Sequence, residues 1–229
     1  MELSLRLKTI ASMVDRCNCT ADIGTDHGYV PIELIKSGTC SKVIASDINK
    51  GPVKKANLNV ILEDLQDKIE CRLGPGLNTI KAHEVQGIII AGMGGNLIRD
   101  IIEEGLDVFK ECEFSILQPV QNPEILREYI YKSGYNIIDE ELCIDENKFY
   151  EIIKIKYDNK VGKIDSIFYE VGKALIDKKH PLVSEFIKFK MAKYNKILNN
   201  IKDDTKLAND RKVDIKIKIQ KLEELLKCL

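Results

Sequence analysis

The sequence contains no stretch of about 18 apolar residues, so it predicts no membrane span. Its first residues interrupt their apolar positions with charge and lack a signal-like apolar core, which predicts reduced thiols in a cytoplasmic protein and excludes a secreted disulfide scaffold. The pair Cys17 and Cys19 is followed by no second Cys pair or His pair, and zinc sites require such a spacing. We therefore expect no metal and ordinary buried or half-buried thiols.

The 229 residues suit one large or two small domains, and their charge is unevenly divided. Residues 163–229 hold 16 basic and 10 acidic residues, a net charge of +6, whereas residues 1–162 carry a net charge of −7. This division favours an acidic body with a basic C-terminal part that meets a polyanion. The alternative is a solvated helical face.

Seven apolar, β-branched runs predict strands. They are Thr20–Ile23, Lys42–Asp47, Ile69–Leu73, Gly87–Ala91, Phe114–Gln118, Asn136–Leu142 and Phe149–Lys156. The stretches between the first five, at 29–38, 51–66, 76–84 and 95–110, are compatible with helices, and this alternation indicates a mostly parallel sheet. The segment 143–148 is too short for a crossover helix, so the last two strands should form an antiparallel hairpin.

Helical spacing replaces strand alternation after Asp158 and Asn159. Apolar residues recur at steps of three and four in two series, which predict two helices with coiled-coil-like seams. The series are Ile187, Met191, Tyr194, Leu198, Ile201 and Ile215, Ile219, Leu222, Leu226. We expect a turn at 202–205, a start of the longer helix at His180-Pro181, and a small domain built on an antiparallel helix pair.

A glycine turn follows the first predicted strand, in Thr20–Tyr29. Gly24 and Gly28 lie four apart, which does not match the dehydrogenase fingerprint G-x-G-x-x-G and so disfavours a dehydrogenase. Asp47 ends the second strand, where a carboxylate accepts hydrogen bonds from a ribose. The alternative for Asp47 is an N-cap of the next helix.

Two further glycine-rich segments end the third and fourth strands. Arg72–Leu77 contains Gly74 and Gly76, and Ile88–Gly95 places three glycines within four residues. A tight turn needs only one glycine, so backbone exposed for a ligand is the preferred interpretation.

Taken together, these motifs resemble the bacterial tRNA (adenine-N1)-methyltransferases of the TrmK type, class I enzymes that use S-adenosylmethionine and modify adenine 22 of tRNA. The pattern L-x-x-R-L-x-x-I-A matches Leu3–Ala11, and D-I-G-x-D-H-x-Y-x-P matches Asp22–Pro31. I-A-G-M-G-G matches Ile90–Gly95, and Y-E-I matches Tyr150–Ile152. The resemblance implies a Rossmann-like methyltransferase domain at 1–160 and a helical, tRNA-binding domain at 161–229.

The resemblance also implies roles for individual residues. Asp26 and His27 are the catalytic candidates. The cofactor-binding candidates are Arg6, Asp22, Gly24, Asp26, Gly28, Asp47, Ile48, Gly74, Gly76, Ala91, Gly92 and Met93. The substrate-binding candidates are Tyr29, Gly94, Lys188, Lys193, Lys196 and Lys216. The chain departs from the family at Pro75, where a side-chain acceptor for the cofactor adenine is missing, and at Val120, where relatives have Asn; transfer of that role to Asn122 is open.

The expected reaction is methylation of adenine N1. By resemblance, enzymes that methylate exocyclic amines have an N/D-P-P-Y/F strand end, and this chain has Ala91-Gly-Met-Gly there. N1 lies on the pairing edge, so the base must be extruded. A non-catalytic RNA-binding module and a methyltransferase for proteins or small molecules remain alternatives. A monomer is expected, and a homodimer is left open.

Overall fold

A computed structural model describes residues 3–229, and the chain divides into two compact units, Met1–Lys163 and Ile164–Leu229. None of the helices in the described part combines the length and apolar character that a membrane crossing requires.

The first unit is built on a seven-stranded sheet. Its strands are β1 (Cys17–Ile23), β2 (Cys40–Asp47), β3 (Ile69–Leu73), β4 (Gly87–Gly94), β5 (Phe114–Gln121), β6 (Tyr135–Asp145) and β7 (Lys148–Tyr157). They lie in the order β3-β2-β1-β4-β5-β7-β6, with β1 to β5 parallel and β7 antiparallel to both neighbours. This confirms the predicted mostly parallel sheet with its terminal hairpin.

Helices cover both faces of this sheet. They are α1 (Leu5–Ser12), α2 (Tyr29–Lys36), α3 (Lys50–Leu62), α4 (Gly95–Glu104), α5 (Leu106–Phe109) and α6 (Pro123–Lys132). Successive residues of β4 point into two separate apolar clusters: Ile88 and Ile90 into one, Ile89 into the other. Burial on both faces explains why the first half of β4 is a continuous apolar run.

The order of the strands places the turns that carry the candidate residues at one edge. β1 pairs with β2 on one side and with β4 on the other, so the chain reverses its winding direction at β1. Open α/β sheets bind ligands at such a switch point, beyond the carboxyl ends of the strands. Asp145, at the end of β6, accepts a hydrogen bond from the backbone N–H of Arg6 at 3.1 Å and so brings the start of α1 to the same region.

Three helical segments differ from the sequence-based expectation. Only Gly76–Thr79 of the stretch 76–84 is helical, as a single 3₁₀ turn. The stretch 95–110 is two helices, because Gly105 interrupts it where a Cβ would lie 2.5 Å from Leu77 Cδ1. Helix α6 was not predicted at all.

A buried ion cluster connects α6 to the hairpin. The guanidinium of Arg127 donates to Glu140 on β6 at 2.7 Å and to Glu151 on β7 at 2.6 Å, and Arg127 and Glu140 are fully buried. Removing one member of such a cluster leaves an uncompensated buried charge. The Y-E-I motif therefore contributes Glu151 to the packing of α6.

The second unit consists of α7 (Ile167–Val171), α8 (Lys173–Asp177), α9 (Val183–Asn200) and α10 (Lys206–Lys227). Thr205 caps α10, with its hydroxyl accepting from the N–H of Ala208 at 3.2 Å. The turn predicted at 202–205 lies between α9 and α10. Helix α9 begins at Val183, two residues after Pro181, because His180 and Leu182 form a preceding turn in which His180 Nδ1 accepts from the Leu182 N–H. With 18 residues α9 is shorter than α10, which has 22, so the expectation that the longer helix starts at His180-Pro181 is wrong.

Glu170 organises the interior of this second unit. Its carboxylate is buried and receives Lys218 Nζ at 2.5 Å, Lys190 Nζ at 3.7 Å and the Tyr194 hydroxyl. Burial disfavours the charged carboxylate, but the two lysines and the tyrosine outweigh burial and lower the pKa of Glu170. Lys190 and Lys218 thus serve the internal packing of the unit.

Candidate active site

A cavity of about 340 Å³ opens at the carboxyl edge of β1 and β4. Its lining comprises Arg6, Leu7, Asp22, Gly24, Thr25, Asp26, His27, Tyr29, Val30, Ala91 and Gly92. Eight of the residues proposed from the sequence as catalytic, cofactor-binding or substrate-binding thus lie around one space: Arg6, Asp22, Gly24, Asp26, His27, Tyr29, Ala91 and Gly92.

The turn between β1 and α2 is held in an unusual backbone conformation. Gly24, Asp26 and Gly28 have φ values of +81°, +48° and +71°, in the region that glycine and aspartate tolerate best. The N–H groups of Gly24 and Thr25 both donate to the Ser46 carbonyl, at 2.8 and 2.9 Å, which fixes the turn to β2.

Helix α3 packs against the same turn between β1 and α2. Asn59 Nδ2 donates to the His27 carbonyl at 2.9 Å, and a Cβ added at Gly28 would lie 3.2 Å from Ala56 Cβ. Gly28 therefore lies against α3 rather than in the cavity lining.

Asp22 is the buried acid of the cavity. Burial raises its pKa to about 6; the nearby polar side chain of Thr25 opposes that shift and the negative charge of Asp47 adds to it. A carboxyl with a perturbed pKa in a cleft is a typical feature of a functional site.

Asp26, His27 and Tyr29 form the outer part of the lining. His27 Nε2 lies 3.3 Å from Asp26 Oδ2, and the rings of His27 and Tyr29 stack with centroids 5.0 Å apart. The Asp26 side chain is 61% exposed, so its carboxylate is available to a molecule that enters the cavity from solvent.

The remaining cofactor candidates lie beside this cavity, at the ends of β2 and β3. Asp47 Oδ1 accepts from the Asn49 N–H at 2.7 Å, and the Asp47 carbonyl accepts from the Gly74 N–H at 3.0 Å. Asn49, not Asp47, occupies the N-cap position of α3, so the alternative role as an N-cap is wrong. Ile48 is exposed, and Gly76 begins the 3₁₀ turn with φ +47°.

The three glycines where β4 ends and α4 begins, Gly92, Gly94 and Gly95, have different surroundings. A Cβ at Gly92 would lie 3.6 Å from Arg6 Nη1, whereas one at Gly94 meets nothing within 4 Å. A Cβ at Gly95 would lie 2.3 Å from the Asn122 carbonyl oxygen, so the backbone of the next turn passes directly over it. The side chain of Met93 covers Gly24, where a Cβ would lie 2.2 Å from Met93 Cε.

The structure separates the lysines of the helical unit into two groups. Lys188, Lys193, Lys196 and Lys216 are exposed, and none of them has a carboxylate within salt-bridge distance among the described residues. In contrast, Lys221 pairs with Asp165 at 2.7 Å, and Lys212 donates to the Asp203 carbonyl at 3.0 Å.

Sequence analysis missed Gln118 as a site residue. This fully buried side chain accepts a hydrogen bond from Arg6 Nη1 at 2.8 Å, although the two residues lie 112 positions apart. The available signal was a polar residue at the end of the apolar strand β5, where buried polar groups require a partner.

The strand order, the glycine turn after β1 and the acid after β2 together define a Rossmann-like methyltransferase. The family described as tRNA (adenine(22)-N(1))-methyltransferase, TrmK, matches residues 20–224. The chain belongs to this TrmK family.

Individual relatives agree with that assignment. The tRNA (adenine(22)-N(1))-methyltransferase of Bacillus subtilis (strain 168) is 37% identical over 172 residues, which cover 75% of this chain and 72% of the relative. Streptococcus pneumoniae Sp1610, solved with S-adenosyl-L-methionine, is 31% identical with a TM-score of 0.87 over 98% of this chain and 100% of that one. M. capricolum TrmK, solved with S-adenosyl-homocysteine, is 25% identical with a TM-score of 0.84 over 99% of each chain.

Proposed function

We propose that this protein transfers a methyl group from S-adenosylmethionine to N1 of adenine 22 in tRNA. The observation that carries the proposal is the cavity at the carboxyl edge of β1 and β4, which unites the motif residues of a chain belonging to the TrmK family. The complexes of the Streptococcus and M. capricolum relatives with S-adenosylmethionine and its product support the choice of donor.

The side chains present fit the donor. Its amino-acid end carries a carboxylate and an ammonium group, and the lining offers the Arg6 guanidinium and the buried Asp22 carboxyl. We assign the carboxylate to Arg6 and the ammonium to Asp22, since opposite charges pair most strongly where water is excluded.

The nucleoside end fits the neighbouring strand ends. Asp47 would hold the ribose hydroxyls, and Ile48, Gly74 and Gly76 would surround the adenine. Pro75 offers no side-chain acceptor, so backbone groups near Gly74 would bind the adenine. Gly24, Ala91 and Gly92 line the cavity and would let the chain approach the donor closely. Gly28 and Met93 would act indirectly, by packing the turn against α3 and by covering Gly24.

S-adenosylmethionine supplies an electrophilic methyl group on its sulfonium for an in-line displacement. Adenine N1 has a free lone pair, so no residue of this chain has to remove a proton before attack. The enzyme then acts mainly by positioning and by electrostatic stabilisation. Methylation makes the adenine ring positive, and the exposed Asp26 carboxylate stabilises that charge; His27 would hydrogen-bond the base.

The target base must leave its helical stack, because N1 is blocked by pairing or stacking. Tyr29, at the cavity edge beside His27, provides an aromatic surface for the extruded adenine. Gly94 leaves open space at the end of β4 for the same base.

We divide the tasks between a methyltransferase domain at 1–160 and a tRNA-binding domain at 161–229. The exposed Lys188, Lys193, Lys196 and Lys216 would contact phosphates and position the tRNA without reading its sequence. With tRNA as substrate, we place the enzyme in the cytoplasm and expect it to act as a monomer.

The test is methylation of an unmodified tRNA transcript with labelled donor, followed by mass mapping of the nucleosides. We expect 1-methyladenosine at position 22 only, and none in a transcript with guanine there. A protein that binds tRNA but transfers no methyl group contradicts the proposal and supports the binding-module alternative.

The carboxylate of Asp26 has a matched control. Asp26→Asn should lower the turnover by about tenfold or more, because it removes one electrostatic contact to the product charge. Asp64→Asn changes another exposed aspartate with a positive φ of 55°, at the end of α3, and should leave turnover unchanged. Wild-type turnover in the Asp26 variant would remove this carboxylate from the mechanism.

A further inference from the structure

Arg6 has a distinctive place in the cavity. Among the described lining residues it is the one side chain with a permanent positive charge, next to the acids Asp22 and Asp26. A long, flexible arginine binds a carboxylate well only if its orientation is fixed beforehand. The contacts that fix the Arg6 guanidinium therefore influence which ligand the cavity accepts.

Gln118 fixes the guanidinium from the end of β5. Its side chain is fully buried, and its Nε2 donates to the Pro119 carbonyl at 3.0 Å. That bond turns Oε1 toward α1, where it accepts from Arg6 Nη1 at 2.8 Å. A hydrogen bond to a charged group is stronger than one between neutral groups.

Tyr150 and Asp145 fix the same residue from the hairpin. The Cζ atom of Arg6 lies 5.4 Å from the centroid of the Tyr150 ring, a cation–π distance. Asp145 holds the Arg6 backbone through the 3.1 Å bond at the start of α1. Gly92 leaves room on the side facing β4, where a Cβ would lie 3.6 Å from Nη1.

We infer that Gln118 and Tyr150 are positioning residues that hold the Arg6 guanidinium for the carboxylate of the methyl donor. The inference rests on the proposed function. It also gives a common role to three separate motifs of the chain. Arg6 comes from L-x-x-R-L on α1, Gln118 from Leu117-Gln118-Pro119 on β5, and Tyr150 from Y-E-I on β7, and the fold brings all three side chains together. Neither Gln118 nor Tyr150 touches the reacting atoms in this assignment.

The test compares two ligands that differ by one group: S-adenosylmethionine and its decarboxylated form, which keeps the ammonium and the nucleoside. Titrations of the full-length protein with each ligand give two dissociation constants. Gln118→Met keeps the side-chain length but loses the acceptor, and Tyr150→Leu loses the ring. Each should weaken the binding of S-adenosylmethionine by about tenfold and leave the binding of the decarboxylated form unchanged.

Conservative variants separate positioning from folding. Tyr150→Phe retains the ring and should restore the wild-type preference for the carboxylated ligand. Gln121→Met makes the same substitution at an exposed position of β5 and should also keep it. If Gln118→Met does not fold, the comparison of Tyr150→Leu with Tyr150→Phe still decides the question.

The outcomes distinguish this inference from the proposed function. Equal weakening of both ligands in the Gln118 and Tyr150 variants, or no weakening, overturns the positioning role. Equal affinity of the wild type for both ligands also overturns it, while the methyltransferase proposal stands. A wild type that binds neither ligand contradicts the proposed function itself.

Discussion

At the scale of single residues, Asp22 should make the proposed donor site sensitive to pH. Burial raises its pKa to about 6, so it titrates near neutrality although exposed aspartates ionise well below that. In the unligated protein, the raised pKa means that ionising Asp22 costs folding free energy. Protonated Asp22 therefore favours the folded state fully when the pH is below the pKa of this aspartate in the unfolded chain. This contribution is lost as the pH rises through about 6.

Donor binding should therefore strengthen between pH 5 and pH 7. The donor's ammonium is protonated in this range and pairs with ionised Asp22, so affinity should rise by about tenfold. Titrations of S-adenosyl-homocysteine across this range measure the effect. Asp22→Asn should bind weakly with no slope, and Asp64→Asn should keep the slope. A wild-type affinity that is flat with pH contradicts the pairing of Asp22 with the ammonium.

The sequence predicted the site residues that are close together along the chain, but not the contacts between residues far apart in sequence. Asp22, Gly24, Asp26 and His27 follow one another in sequence, so one turn brings them to one cavity. Gln118 lies 112 residues from Arg6, and no spacing in the sequence relates the two. The sequence also did not show that Asp47 lies beside the cavity and not in its lining. That became visible only from the positions of the strand ends in the structure.

At the scale of elements, the strands were predicted well and one helix was missed for a physical reason. All seven predicted runs lie within observed strands. The apolar signal is strongest in β4 and β5, whose first four and six residues are buried on both faces of the sheet. Helix α6 buries Arg127 together with Leu126 and Ile130, so a charge interrupts its apolar face. Its compensating partners, Glu140 and Glu151, lie on the hairpin, and the sequence of the helix does not reveal them.

The close contact between Gly95, which follows β4, and Asn122, which follows β5, leads to a prediction about stability. Gly95→Ala would place a Cβ 2.3 Å from the Asn122 carbonyl oxygen, and backbone atoms cannot move aside as a flexible side chain can. We expect the free energy of unfolding to fall by about 1–3 kcal/mol, measured by urea denaturation.

Gly94→Ala is the neighbouring control. A Cβ there meets nothing within 4 Å and the residue has φ −69°, so stability should be unchanged or slightly higher. If the extruded adenine uses this open space, Gly94→Ala lowers the methylation rate without loss of stability. Equal stability of the two variants would contradict the close approach at Gly95.

At the scale of the whole molecule, the division of charge acquires a structural basis. Three of the lysines on α9 and α10 serve the helical unit itself: Lys190 and Lys218 pair with Glu170, and Lys221 pairs with Asp165. The net charge of +6 in residues 163–229 is therefore not a measure of phosphate contacts. Exposed lysines without a carboxylate partner are better candidates for contacts with tRNA phosphates.

Replacing Lys188, Lys193, Lys196 and Lys216 by Gln should weaken tRNA binding and its dependence on salt. Each lost phosphate contact should reduce the slope of log affinity against log salt by about 0.7–0.9, because fewer counterions are released. Filter binding across a salt series measures both quantities. Binding of S-adenosyl-homocysteine should not change, since the proposed donor site lies in the first unit.

A charge-matched variant tests whether position or total charge matters. It replaces four exposed lysines of the first unit by Gln: Lys42, Lys68, Lys81 and Lys160. Lys42 and Lys68 lie toward the amino ends of β2 and β3, away from the cavity edge, so this variant should keep most of the affinity and slope. Equal losses in both variants would mean that tRNA responds to net charge alone, and an unchanged slope in the helical variant would exclude the second unit as the tRNA-binding domain.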